Sequence, residues 1–344
     1  MNGVLIVDKP LGPTSHDVVA RVRRAIGISR IGHTGTLDPL ATGVLPLVVG
    51  RATRLAQFLS ADEKEYLAGI RLGATTATYD AEERLVRDES GEPVLLRPVA
   101  HRPAVTEADV REALTEFTGT YWQVPPPFSA KKVAGTPAYR LARVNKDVDL
   151  KPVEVTVSNL ELMSYADGLA MVRVVCSSGF YVRSLANDFG GRMGCGGHLE
   201  SLRRSRAGEF RVERAVPLPV IQEEGTAALR RLVPVESLLS GLPHVVVNER
   251  GARRAAHGNT LAAEDLWDAD RTVPPPKAPG PVRVLDAEGR CWRSASPPAE
   301  GFCNRSWSWF KILSPLNLKY WDIRRSGAGI PLLGRAWRLT RGIH

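Results

Sequence analysis

The apolar positions of this chain change period several times, and each change marks an element. Residues 4–7 form a short continuous apolar run, the pattern of a strand buried on both faces. Asp8-Lys9-Pro10 and Gly12-Pro13 end it. Val18, Val19, Val22, Ala25 and Ile26 then recur at helical spacing, with Thr14 as N-cap, Asp17 in the capping-box position and Gly27 as the stop. Arg21, Arg23 and Arg24 fall off that stripe, as a solvated face at least as readily as a binding one. Residues 44–49 read as a strand, which Pro46 restricts to a sheet edge or to a late start. Tyr66, Ala68, Ile70 and Leu72 alternate and so share one strand face. Thr106 starts a helix with Asp109 at the box position and Val110, Ala113, Leu114 and Phe117 as its stripe, ended by Gly119. Residues 153–162 and 170–176 read as strands, and Val182, Leu185, Ala186, Phe189 and Met193 as a helix stopping at Gly194. This alternation predicts an α+β domain around a mixed or antiparallel sheet.

Between the first helix and the strand after it lies residues 32–43, Gly-His-Thr-Gly-Thr-Leu-Asp-Pro-Leu-Ala-Thr-Gly. Its glycines allow positive φ and close approach of a partner, and Asp38-Pro39 favours a turn. Asp38 is the only acid in it. Taken alone, Asp-Pro is an ordinary surface turn, and the loop lacks the Gly-Lys-Ser/Thr ending of a phosphate-cradling P-loop.

Composition narrows the partners. The 344 residues suit about two domains. With 46 basic and 37 acidic residues the net charge is +9, which favours a polyanion through phosphate contacts and counterion release. The four cysteines form no C-x-x-C pair, so neither a zinc site nor a disulfide framework is indicated; Cys176 and Cys195 read as small packed residues. No apolar run approaches the roughly 18 residues of a membrane span, and the N-terminal run is too short for a signal peptide. A reduced, cytoplasmic protein is expected.

The loop and several ordered motifs together resemble the TruB family of tRNA pseudouridine synthases, of the stand-alone bacterial type. They are Val7-Asp8-Lys9-Pro10, Gly32 to Leu47 read as GHTGTLDPLATGVLPL, Lys64-Glu65-Tyr66, and Pro127-Phe128-Ser129-Ala130-Lys131-Lys132 with Gly135 and Tyr139 following. Ser178-Gly179-Phe180-Tyr181-Val182-Arg183-Ser184, Gly194-Cys195-Gly196-Gly197-His198 and Leu202-Arg203-Arg204 complete the set. The resemblance implies isomerisation of uridine to pseudouridine at position 55, in the T-loop of tRNA, with no cofactor, guide RNA or obligatory protein partner, by a monomer. It implies Asp38 as nucleophile, Arg183 as its two-pronged partner, and Tyr66 stacking on the base and acting in proton removal. It implies Leu202 packing on the base, His33 inserting where flipped bases were, and Asp80, Tyr181, Lys9 and Lys132 contacting substrate or RNA. Arg203, Arg204 and Arg206 are further phosphate candidates. Where the family carries a first acid in Thr-Asp-Thr-x-Asp, this chain has Ala77. A non-catalytic RNA-binding or tRNA-folding protein is the alternative; the presence of Asp38, Tyr66 and Arg183 together favours the enzyme.

The expected domains are a catalytic domain over 1–242 and a PUA-like β-barrel over 243–295, with strands near 245–247 and 282–285 and a helix over 249–257 ending at Gly258. Residues 296–344 break the pattern. Trp292, Trp307, Trp309, Trp321 and Trp337 crowd the end of the chain, and Asp322 is the only acid beyond residue 300. The stretch reads as a translated frameshift, with a basic RNA-binding tail as the rival.

Overall fold

The apolar runs pair laterally into one sheet. The computed structural model describes residues 1–81, 97–98, 105–129, 131–133, 136–137, 150–257, 259, 261–267 and 283–286, with backbone alone for 97–98, 132–133, 136–137, 256 and 263. The chain forms two compact units, Met1–Leu242 and Pro243–His344. In chain order the first carries β1 (Gly3–Lys9), α1 (Ser15–Ile26), β2 (Ile31–His33), β3 (Ala41–Val49), α2 (Ala56–Ser60) and β4 (Lys64–Leu72). Then come α3 (Glu107–Leu114), β5 (Gly119–Gln123), β6 (Val153–Ala166), β7 (Leu169–Cys176) and α4 (Val182–Arg192). β8 (Gly197–Ala207), β9 (Phe210–Arg211), β10 (Val216–Pro217), α5 (Leu218–Glu224) and β11 (Val233–Pro234) follow.

The sheet has 11 strands in the order β10-β1-β3-β8-β4-β7-β6-β5, with β11 on β1, β2 on β3 and β9 on β8. The pairs β1–β10 and β3–β8 are parallel and the rest antiparallel, so the sheet is mixed. Val18, Val22 and Ile26 of α1 and Leu185, Ala186 and Phe189 of α4 are buried in the same core as the inward residues of β1, β3, β4 and β7. Cys176 and Cys195 are buried free thiols.

Local chemistry sets the ends of α1. Thr14 Oγ1 accepts from Asp17 N at 3.1 Å while the Asp17 carboxylate accepts from Thr14 N at 2.9 Å, the reciprocal capping box. Gly27 closes the helix in the left-handed region at φ 69°. The same box, from Thr106 and Asp109, starts α3. That helix ends at Leu114 rather than Gly119, because a 3-10 turn over Thr115–Phe117 tightens its last residues.

Pro46 does not put its strand at an edge. β3 lies between β1 and β8, and Pro46 pairs in register with Ile6. The Val44 carbonyl accepts from Arg204 and that of Pro46 from Thr34, so both residues face away from β1. On that side β8 pairs only with residues 41–43 and β2 only with 47–49. The missing N–H of the proline falls where the lateral partner changes and no donor is required.

Within the second unit, His244–Val246 pairs in parallel with Arg283–Leu285, close to the two expected strands. The helix Glu249–His257 is present, and Val247, Ala252, Ala255, Leu266 and Val284 form a small core. Gly258, its expected stop, and the whole of 296–344 lie outside the described residues.

Candidate active site

The loop expected to matter lines one end of a cleft of about 280 Å³. Its wall comprises Asp38 and its neighbours 34–37, Lys64 and Tyr66 from β4, Leu202 and Arg204 from β8, and residues 177–183 at the entrance to α4. Tyr66 and Leu202 lie on adjacent paired strands, and Tyr181 and Arg183 stand at the start of α4. Residues far apart in the chain are thereby brought together by the sheet order.

Arg183 is buried, with 7% of its side chain exposed. Its Nη1 donates to the Thr78 carbonyl at 3.1 Å and its Nη2 to the Phe128 carbonyl at 3.0 Å. Nε lies 2.9 Å from Asp38 Oδ2 and 3.5 Å from Asp80 Oδ2. Its N–H is not aligned on an acceptor, so these are charge contacts rather than directed hydrogen bonds. The two-pronged Arg183–Asp38 pair expected from the sequence is therefore corrected. Both prongs are used on backbone carbonyls, and the flank of the guanidinium serves two carboxylates. Asp80 is 3% exposed while Asp38 is 38% exposed, so Asp80 belongs to the support and Asp38 faces the cleft.

Asp80 is delivered by a strained turn. Tyr79 holds φ 64°, its amide bonded to the Thr76 carbonyl, and Thr78 Oγ1 donates to Asp80 Oδ1 at 2.7 Å. Ala77 is exposed on this turn, so the missing family acid leaves the Asp80–Arg183 contact in place.

Lys9 and Arg204 are corrections. Lys9 is 0% exposed, and its ammonium donates to the carbonyls of Pro39 at 3.2 Å, Ala41 at 2.6 Å and Pro10 at 3.1 Å. A cation so enclosed does not reach an RNA phosphate; it donates hydrogen bonds to carbonyls of the Asp38 loop. Arg204 is likewise buried, donating through Nε to Val44 O at 2.7 Å and through Nη2 to Gly35 O at 3.1 Å. Arg203 pairs with Asp8 at 2.9 Å, and Arg206 lies 3.9 Å from Glu63. The side chain of Lys132 lies outside the described residues.

Titration follows burial. Burial pushes the Tyr66 phenol above its ordinary range, against a smaller downward pull from Arg204. Burial pushes Tyr181 up in the same way. His33 moves the other way: burial, then His16 and Arg204, hold its imidazole below the usual value and hence neutral near pH 7. Its ring packs edge to face on His16 with centroids 5.4 Å apart, outside the residues that line the cleft.

Sequence reasoning assigned no role to Lys64, which lines the cleft beside Tyr66 and donates to the Ser60 carbonyl at 2.5 Å and to that of Asp62. Period two would have found it, since Lys64 and Tyr66 share a strand face, as do Leu202 and Arg204.

With this geometry in hand, the relatives are informative. Residues 23–182 match the family model described as TruB family pseudouridylate synthase, N-terminal domain, and 183–240 the tRNA pseudouridylate synthase B C-terminal domain. The tRNA pseudouridine synthase B of Solibacter usitatus is 45% identical over 267 residues, 76% of this chain and 87% of that relative. The chain belongs to the TruB family. The Thermobifida fusca member, also a tRNA pseudouridine synthase B, is 43% identical over 84% of this chain and 92% of its own. Among solved structures, an archaeal box H/ACA sRNP complex aligns with TM-score 0.61 at 26% identity, over 84% of this chain and 76% of that one. An H/ACA RNP bound to a substrate RNA containing 2′-deoxyuridine also aligns with TM-score 0.61, at 25% identity over 84% and 75%. This TruB family chain has the α+β pseudouridine synthase fold, and no helix among the described residues is long and apolar enough to cross a membrane.

One glycine of the TruB loop is obligatory for steric reasons. Gly43 has φ 98°, and a Cβ there would stand 2.2 Å from the Arg204 carbonyl oxygen. Gly43→Ala is expected to destabilise the protein by about 3 kcal/mol, read as a lower urea midpoint at unchanged slope.

Proposed function

We propose that this protein isomerises uridine to pseudouridine in the T-loop of tRNA, with Asp38 as the reactive carboxylate. The observation that carries the reading is the Asp38–Arg183 contact, 2.9 Å, in a cleft also lined by Tyr66 and Leu202. The reaction breaks the N1–C1′ bond, turns the base, forms C5–C1′, releases the C5 proton and takes up a proton at N1, so atoms balance without a co-reactant. The Arg183 guanidinium holds its positive charge 2.9 Å from the Asp38 carboxylate at the wall of the cleft. A cleft of about 280 Å³ suits one extruded nucleoside rather than a stacked stem, which requires base flipping. Leu202 and the Tyr66 ring supply its apolar faces, with Tyr181 on the wall. The neutral His33 imidazole suits stacking in the gap left in the RNA better than phosphate pairing.

The first unit, 1–242, is the catalytic domain in this reading, and 243–295 a PUA-like RNA-binding module. In this reading the protein engages tRNA without guide RNA, as a monomer in the cytoplasm. Release of tritium from C5-labelled uridine in tRNA transcripts tests the activity directly: release with no guide RNA or partner protein added is expected, and none from any tRNA transcript would overturn it.

Tyr66→Phe separates stacking from proton handling. The ring is kept, so tRNA affinity is expected within about three-fold of wild type, while turnover falls about 100-fold through loss of the phenolic oxygen. Filter binding and single-turnover rates on one tRNA give both numbers.

A further inference from the structure

Asp38 sits in a loop whose backbone is held from outside, and the hold is closest at the residues on either side of it. The Leu37 N–H donates to Ser15 Oγ at 2.8 Å, and the same hydroxyl donates to the Leu37 carbonyl at 2.9 Å. On the other side the Pro39 carbonyl accepts from Gly12 N at 3.0 Å and from Lys9. Ser15 is 1% exposed and opens α1, so its position is fixed by the helix that the Thr14–Asp17 box starts.

We propose that Ser15 is a positioning residue for the reaction, one that sets the direction of the Asp38 carboxylate through Leu37. It is not among the residues that line the cleft, and its hydroxyl bonds to Leu37 rather than to the reacting carboxylate. One side-chain oxygen satisfies both polar groups of a single buried peptide residue, so the hydroxyl defines where that residue lies along two directions at once. Asp38 follows immediately, with its own carbonyl bonded to Ala41 N at 3.0 Å, leaving little slack between the Leu37 anchor and the Pro39 anchor. Without the hydroxyl, the buried Leu37 N–H and C=O lose this partner and the loop turns to find another. The carboxylate then leaves the flank of Arg183, and misplacement of a reacting group by about 1 Å costs on the order of 100-fold in rate. Ser15 is buried and does not line the cleft, so affinity is expected to be retained.

This inference rests on the reading that Asp38 carries the chemistry, and the experiment separates the two. Ser15→Ala removes one atom from the full-length protein; its thermal unfolding midpoint is measured first, and rates are taken well below it. The expected result is a single-turnover rate down about 10- to 100-fold. tRNA affinity should stay within about three-fold, and hydrogen exchange should accelerate in the peptide spanning 34–41. A rate loss smaller than about five-fold, or a loss of affinity equal to the loss of rate, overturns the assignment to Ser15. Asp38→Asn is run alongside: if it keeps wild-type turnover, the reading of Asp38 falls; if it is inactive while Ser15→Ala is not impaired, only the present inference falls.

Discussion

Asp38→Asn is expected to abolish pseudouridine formation and to leave tRNA binding within about three-fold. The amide has the carboxylate's shape, so the loop keeps its anchors at Lys9, Ser15 and Arg204. The Arg183 guanidinium keeps the Thr78 and Phe128 carbonyls and the buried Asp80, so removing one charge does not strand it. What is lost is the negative charge and the nucleophilic lone pair facing the cleft. Loss of a covalent or charge-stabilising group at a reacting centre is worth roughly 10,000-fold or more in turnover. Single-turnover tritium release beside filter binding measures it. Asparagine turnover within about ten-fold of wild type would move the chemistry to another residue.

Much of the scaffold was legible in local pattern. Thr14, Asp17 and Gly27 mark α1 because caps are chemistry between near neighbours. The alternation of Tyr66, Ala68, Ile70 and Leu72 marks β4 because a strand's faces depend on period alone. The meeting of Asp38, Tyr66 and Arg183 was not legible in that way. No spacing says that the 32–43 loop, β4 and α4 converge; the ordered motifs said it, through the family resemblance, and the sheet order provides the physical means.

The errors share one cause. Pro46 reads as an edge signal, yet β8, which joins the sheet from about 160 residues along the chain, pairs with its strand at residues 41–43 and makes that strand internal. Lys9 is expected to contact substrate or RNA, yet the Asp38 loop folds over it and presents carbonyls to its ammonium. Arg204 reads as a phosphate ligand, yet the same loop and β3 present carbonyls to its guanidinium. In each case the deciding partner is non-local, and burial of a charged group is invisible until that partner is placed.

Arg183→Lys is expected to damage both stability and turnover, although it keeps the charge. Arginine reaches three directions at once: Nη1 to Thr78 O, Nη2 to Phe128 O, and the Nε flank to Asp38 and Asp80. Lysine has its donors on a single atom and a stem without the planar fork, so it serves at most part of that set. If the ammonium stays between the carboxylates, the two carbonyls lose their donor. If it moves to the carbonyls, Asp80, with 3% of its side chain exposed, is left as a buried charge with weakened compensation. Either arrangement costs about 2–4 kcal/mol. Asp38, which is partly exposed, tolerates the change thermodynamically but loses the fixed charge that orients it, and turnover falls about 100- to 1,000-fold. Urea unfolding gives the first quantity and single-turnover rates at low urea the second. Adding Asp80→Asn to Arg183→Lys should recover part of the stability and none of the rate, because it removes the buried charge but not the misorientation of Asp38. A lysine variant with wild-type midpoint and wild-type rate would show that neither the fork nor the shared flank matters, and the proposed architecture of the site would fall with it.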